Sequence, residues 1–180
     1  MIVKLYEFAI IASGQDIEDE AFTDAVFEVG CDDATLSFQK GVIVVEFARE
    51  STSFAQAIWS ACAQLQKTGL KIERIEPDYL VSLSEIADRS NLSRQAISLY
   101  IRGERQQGFP NPTAKVTSKH PLWDWPQVAD WLFRHSGLDK DSVVQARVVK
   151  EANLLIGTLD AADNGFIARL EQCEAAEILH

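Results

Sequence analysis

If residues 93–102 form a helix, one face of it carries Ser93, Arg94, Gln95, Ser98, Leu99 and Arg102. Those residue types match the edges of DNA bases. Arginine can bond the O6 and N7 of guanine together, glutamine the N6 and N7 of adenine, and serine a phosphate or a base edge. Backbone amides left free at the helix start, over Ser93–Gln95, suit a phosphate. Arg105, Lys115, Lys119 and His120 follow closely and add cationic or hydrogen-bonding groups, His120 being equally readable as an ordinary surface histidine. The chemistry this predicts is recognition of duplex DNA in the major groove, not catalysis. The chain contains no GxGxxG, P-loop, HExxH or GxSxG run and no Cys-His pair close in sequence, so we expect neither an enzyme nor a bound cofactor or metal. The acidic run Asp16–Glu20 fits a solvated helix start better than a metal site.

Such a face needs a helix held outward by a second one. Ser82 and Glu85 form a capping box for a short helix with Leu83, Ile86 and Ala87 on its inner side. Asn91, four residues after Ala87, tolerates the left-handed backbone that a tight helix-helix turn requires, and Ser93 is an N-cap for the helix that follows. Small Ala87 lets that helix approach, while Ile97, ten residues on, fills the angle between the two. This spacing resembles the helix-turn-helix of bacterial regulators, departing only where Asn91 replaces the commoner glycine.

The next residues extend the pattern. Phe109-Pro110-Asn111-Pro112 leaves the second helix, and a polar stretch holds Lys115 and Lys119. The chain returns through Leu122-Trp123-Asp124-Trp125 into Val128, Trp131 and Leu132, with Asp124 and Gln127 fitting a capping box. Residues 79–135 thus resemble the small winged-helix domains of excisionase-like and MerR-like proteins. The resemblance implies that Lys115–His120 form a β-wing lying against the phosphate backbone or minor groove. The tryptophans would close a compact core rather than offer a stacking surface for single strands.

Residues 1–78 read as a separate α+β unit in the order βαββαβ, the ferredoxin-like pattern. Strands are expected at 2–12, 34–38, 42–48 and 71–76. Helices follow the stripe of Phe22 and Val26 and that of Phe54, Ile58, Ala61, Cys62 and Leu65, the latter opened by a Ser53/Gln56 capping box. Residues 136–180 read as two helices with apolar stripes at Val144, Val148, Ala152, Leu155 and Leu159, and at Phe166, Ile167, Leu170 and Cys173. These either pack on the chain's own domains or join two copies, and a homodimer is the favoured expectation.

Net charge is −10, but its distribution is uneven. Residues 1–79 hold 6 basic and 14 acidic side chains (net −8), 80–135 hold 7 and 5 (net +2), and 136–180 hold 4 and 8 (net −4). Acidic flanks discourage indiscriminate DNA binding. Three widely spaced cysteines, Cys31, Cys62 and Cys173, make no disulfide framework or metal pattern and suit a reducing cytoplasm. No apolar run has the length of a membrane span.

The expectation is a cytoplasmic, sequence-specific double-stranded DNA-binding transcription regulator, a repressor, with a small-molecule effector or protein partner at its N-terminal domain. The alternative is an antitoxin-like interaction module: the N-terminal domain holds a partner protein and the helix-turn-helix represses its own operon. Structured RNA is a further, less favoured ligand, because no RNP-type aromatic strand is present.

Overall fold

A computed structural model describes residues 1–178 and shows a mixed α+β chain of two compact units. One unit comprises residues 1–77 and 148–176; the other comprises 78–147 with Glu177 and Ile178. The stretch read from sequence as a third segment, 136–180, is therefore shared between the two units, and its last two residues lie outside the described ones.

In the first unit β1 (Lys4–Ser13), β2 (Ala34–Gln39), β3 (Val42–Ser51) and β4 (Lys71–Glu76) form an antiparallel sheet in the order β2-β3-β1-β4. Between them run α1 (Glu20–Glu28) and α2 (Phe54–Gln66). Alternation along the strands sends Tyr6, Phe8, Ile10 and Ala12 of β1 inward with Ile43, Val45 and Phe47 of β3 and Ile72 and Ile75 of β4. The stripe of α2 completes that core: Phe54 packs on the rings of Tyr6 and Phe8, and Ile58, Ala61, Cys62 and Leu65 are sealed from solvent. Lys40 (φ 51°) and Gly41 (φ 87°) make the two-residue turn between β2 and β3.

Strand β3 runs three residues beyond its expected end at Ala48, because Arg49 continues the inward row. Its guanidinium is bidentate on Asp33 (2.8 and 2.9 Å), donates to Ser60 Oγ at 2.9 Å and lies over the Phe47 ring. A buried charge met this way keeps its hydrogen bonds. Ser53 caps α2 as expected, but the box is only half made. Gln56 Nε2 donates instead to Glu171 Oε1 at 2.7 Å, and Glu174 Oε1 accepts from the Phe54 and Ala55 amides (2.9 and 3.4 Å). Both glutamates belong to α7 (Asn164–Ala175), which packs on α2 and buries Phe166, Ile167 and Leu170.

The helix before it, α6 (Lys140–Leu155), gives Val148, Val149, Ala152 and Leu155 to the first unit and Val143 and Ala146 to the second. Asn153 pairs with both backbone groups of Ile75 (2.7 and 2.9 Å), occupying the outer edge of β4 there. Leu159 apart, the two C-terminal stripes are largely buried within the chain, so they need no second copy to cover them. Leu159 departs from its expected stripe: α6 stops at Leu155, and Leu159 is 40 % exposed. Among the described residues no helix is long and apolar enough to cross a membrane.

The cysteines are all free thiols. Burial pushes Cys62 up to about 12 and raises Cys31 as well, the nearby Arg49 guanidinium only partly opposing it. Both therefore stay protonated at pH 8, where the thiolate is the reactive form. Iodoacetamide at pH 8 is expected to label Cys173, which is partly exposed, and to spare Cys62 until the protein is unfolded. Mass spectrometry of the native digest checks this, and early Cys62 labelling would show that the sheet-helix core opens.

Candidate nucleic-acid interface

The second unit begins with β5 (Leu80–Val81) and continues through α3 (Leu83–Ser90), α4 (Arg94–Ile101), β6 (Trp123–Asp124) and α5 (Trp125–Ser136). Local sequence sets the α3–α4 corner. Ser82 Oγ accepts from the Glu85 amide at 3.3 Å while Glu85 Oε2 accepts from the Ser82 amide at 2.7 Å, so the capping box is reciprocal. Asn91 ends α3 in the left-handed region (φ 54°, ψ 33°), and the next amide, Leu92, donates back to Ala87 O at 3.1 Å. Ser93 Oγ then accepts from Ala96 N at 3.0 Å and starts α4.

Ile86, Ala87, Ile97 and Tyr100 turn inward onto α5 residues Val128, Trp131 and Leu132. The expected core role of the tryptophans is what their burial shows: Trp123, Trp125 and Trp131 are 3, 7 and 3 % exposed. Trp131 meets Tyr100 at 5.0 Å, Phe109 at 5.1 Å and His135 at 4.3 Å between ring centroids. Phe109 thereby ties the exit from α4 to the core, and Trp123 Nε1 donates to Pro110 O at 3.1 Å. Asp124 caps α5 by accepting from Gln127 N at 3.3 Å, with Pro126 in the first turn.

That packing leaves the opposite side of α4 facing out. Ser93, Arg94 and Gln95 are exposed, and Ser98 is half-buried. Arg94 makes no ion pair among the described residues. Arg102, just past the helix, is held by Glu104 through Nε (2.8 Å) and Nη2 (3.3 Å). The pair is about half exposed, and such surface pairs contribute little. A phosphate can therefore compete for Arg102. Arg105 lies over the Tyr100 ring, 5.4 Å from its centroid, which fixes it beside the end of α4.

Residues 113–122 make a short hairpin. Ala114 and Leu122 exchange backbone bonds (3.1 and 2.9 Å), and Leu122 leads directly into β6, which pairs with β5. At its tip Lys115 takes a positive φ of 50°, and its carbonyl accepts from Ser118 N at 2.9 Å. Lys115, Lys119 and His120 are all exposed.

Four of the nine expected site residues converge. Ser98, Arg102, Lys119 and His120 line one cleft of about 410 Å³, floored by Leu83 and Ile101. Ser93, Arg94 and Gln95 stand at the start of α4 and Lys115 at the hairpin tip, outside that cleft, as does Arg105. Leu83 packs on the core from the inner side of α3 as expected, but sequence reasoning did not find that it also lines the cleft, nor Glu104 as the partner of Arg102. The Arg102-Gly103-Glu104 spacing was the available signal for the latter.

The first unit holds two shallower clefts. One, about 510 Å³, surrounds Asp33, Arg49 and Ser60; the other, about 580 Å³, lies on the sheet between Glu7, Glu46 and Glu76. Among the described residues no group of three or more His, Cys, Asp or Glu is placed to hold a metal ion. Compared with protein-family models, curated proteins and solved structures, the chain matches none.

Proposed function

We propose that residues 79–135 act as a winged helix-turn-helix that binds duplex DNA sequence-specifically, so that the chain serves as a cytoplasmic transcription regulator of repressor type. One observation carries this reading: an outward face of α4 and a cationic hairpin flank a single cleft, with Ser98, Arg102, Lys119 and His120 around it. Helix α4 enters the major groove with Arg94 and Gln95 toward base edges, its amino end near a phosphate. The 113–122 hairpin follows the backbone as the wing. The exposed, uncommitted Arg94 and Lys119 support these two roles, one reading bases and one neutralising phosphate. For the first unit, the antiparallel order β2-β3-β1-β4 supports a ferredoxin-like fold, and regulation of DNA binding is the role proposed for it.

A second reading shares the DNA-binding half and gives the first unit a protein partner, as in an antitoxin-like module. What favours it is the sheet cleft edged by Glu7, Glu46 and Glu76, whose charge suits a basic partner.

Fluorescence anisotropy with a selected and a random duplex tests the proposal. Arg94→Ala is expected to weaken the selected duplex by about 1–3 kcal/mol and the random one much less. Lys119→Ala should weaken both and lower the slope of log K against log salt by about one unit. Equal losses on both duplexes for Arg94→Ala would remove base reading from α4, and an unchanged slope for Lys119→Ala would take the hairpin off the phosphates.

A further inference from the structure

Strand β2 leaves one side of its backbone without a strand. Its hairpin to β3 closes at Gln39 opposite Val42, and Asp33 O accepts from Ala48 N at 3.1 Å at the other end. Antiparallel alternation therefore gives Gln39, Ser37 and Thr35 to β3 and turns the N–H and C=O groups of Ala34, Leu36 and Phe38 to the open edge. Of these, among the described residues, only the Ala34 amide has a backbone partner, Cys31 O at 3.2 Å. Edge strands are ordinarily protected by charges, proline or a bulge. Residues 34–39 (ATLSFQ) have no charge, no proline and an unbroken register, and Phe38 stands 61 % exposed. The other edge, β4, is occupied at Ile75 by Asn153.

We infer that β2 pairs antiparallel with β2 of a second copy of this chain, about a two-fold axis at Leu36. Three features of the sequence select that partner and register. With Leu36 opposite itself, the two Leu36 residues exchange both backbone bonds and each Phe38 amide meets the Ala34 carbonyl of the other copy, while the Ala34 amides keep Cys31 O. The exposed phenyl ring thus lies beside the smallest side chain of the strand. On the opposite face Thr35 meets Ser37, two small hydroxyl residues without charge. Beyond the strand ends, exposed Asp32 of one copy and exposed Lys40 of the other fall in turns at the same end of the seam, so each end carries opposite charges. A chain of net charge −10 thereby meets its copy through a segment where like charges do not face each other. The two four-stranded sheets become one. This inference rests on the first unit alone, so it stands or falls separately from DNA binding.

Sedimentation equilibrium of the full chain tests it with two charge variants. Thr35→Lys/Ser37→Lys sets lysines against lysines across the axis, and Thr35→Glu/Ser37→Glu does the same with glutamates. Both pairs change only exposed or half-exposed positions of an edge strand, and circular dichroism verifies the fold. The natural chain is expected to dimerise, each variant to dissociate at least about tenfold more readily, and a 1:1 mixture of the two variants to regain the dimer. A monomeric natural chain would overturn the inference and leave the edge to a strand of another protein. A dimer that both variants leave intact would overturn it by placing the interface elsewhere.

Discussion

Trp131→Ala is expected to destabilise the second unit by about 3–5 kcal/mol, the range for removing a large aromatic from a packed core. The ring is 3 % exposed and touches Tyr100 from α4, Phe109 from the segment after it and His135 from its own helix. One truncation thus loosens the element that carries Arg94 and Gln95 and the exit that leads to the hairpin. Trp131→Phe is the informative control. Among the described residues Trp131 Nε1 is buried with no hydrogen-bond partner, so phenylalanine discards no bond; it keeps one ring of the packing and should cost about 1–2 kcal/mol, well below the alanine. Amide hydrogen exchange resolved by segment is the suitable measurement, because two units need not unfold as one transition. Protection in α4 and α5 should fall together in Trp131→Ala and persist in Trp131→Phe. Protection unchanged by the alanine would mean that α4 is held by something other than this aromatic cluster.

The second large effect is in the other unit. Arg49→Ala is expected to cost about 2–4 kcal/mol, somewhat below the range for breaking a fully buried pair, because Asp33 retains 26 % side-chain exposure and can rehydrate. The loss includes the bond to Ser60 Oγ and the packing over Phe47. Asp33→Asn separates charge from shape, since it keeps an acceptor near Arg49 and removes the counter-charge. It should lose most of the same stability. Replacing both residues, Arg49→Met with Asp33→Ala, should recover part of the loss, since no uncompensated charge remains in the core. Exchange protection of the β1 and β3 amides reads all three variants. A single Arg49→Ala no worse than the double replacement would show that the ion pair contributes nothing beyond packing.

What could be read from sequence was set by neighbours along the chain. The reciprocal Ser82–Glu85 cap, the left-handed Asn91 and the Ser93 cap each depend on residues three or four apart, and they stand where the pattern put them. The β2–β3 turn at Lys40-Gly41 is similarly local. What was not legible depended on partners far along the chain. Arg49 reads as lying past the end of a strand until Asp33 and Ser60 are known to surround it. Gln56 looks like the second half of a capping box until Glu171, far along the chain, offers a better acceptor. The C-terminal stripes fitted a dimer as well as a clamp, because periodicity shows that a face is buried without showing against what. At the candidate interface the residue types were legible, while the assembly of Ser98, Arg102, Lys119 and His120 around one cleft required the return of the chain through the Ala114–Leu122 bridge.

Selection from a randomised duplex pool with the purified full-length chain at moderate salt tests the central claim most directly. Winged helix-turn-helix binding predicts enrichment of a defined motif that Arg94→Ala and Gln95→Ala each alter at a base position, and a dimer would recover it as two related half-sites. A pool that stays random through repeated rounds, at low as well as moderate salt, would contradict sequence-specific DNA binding by this chain.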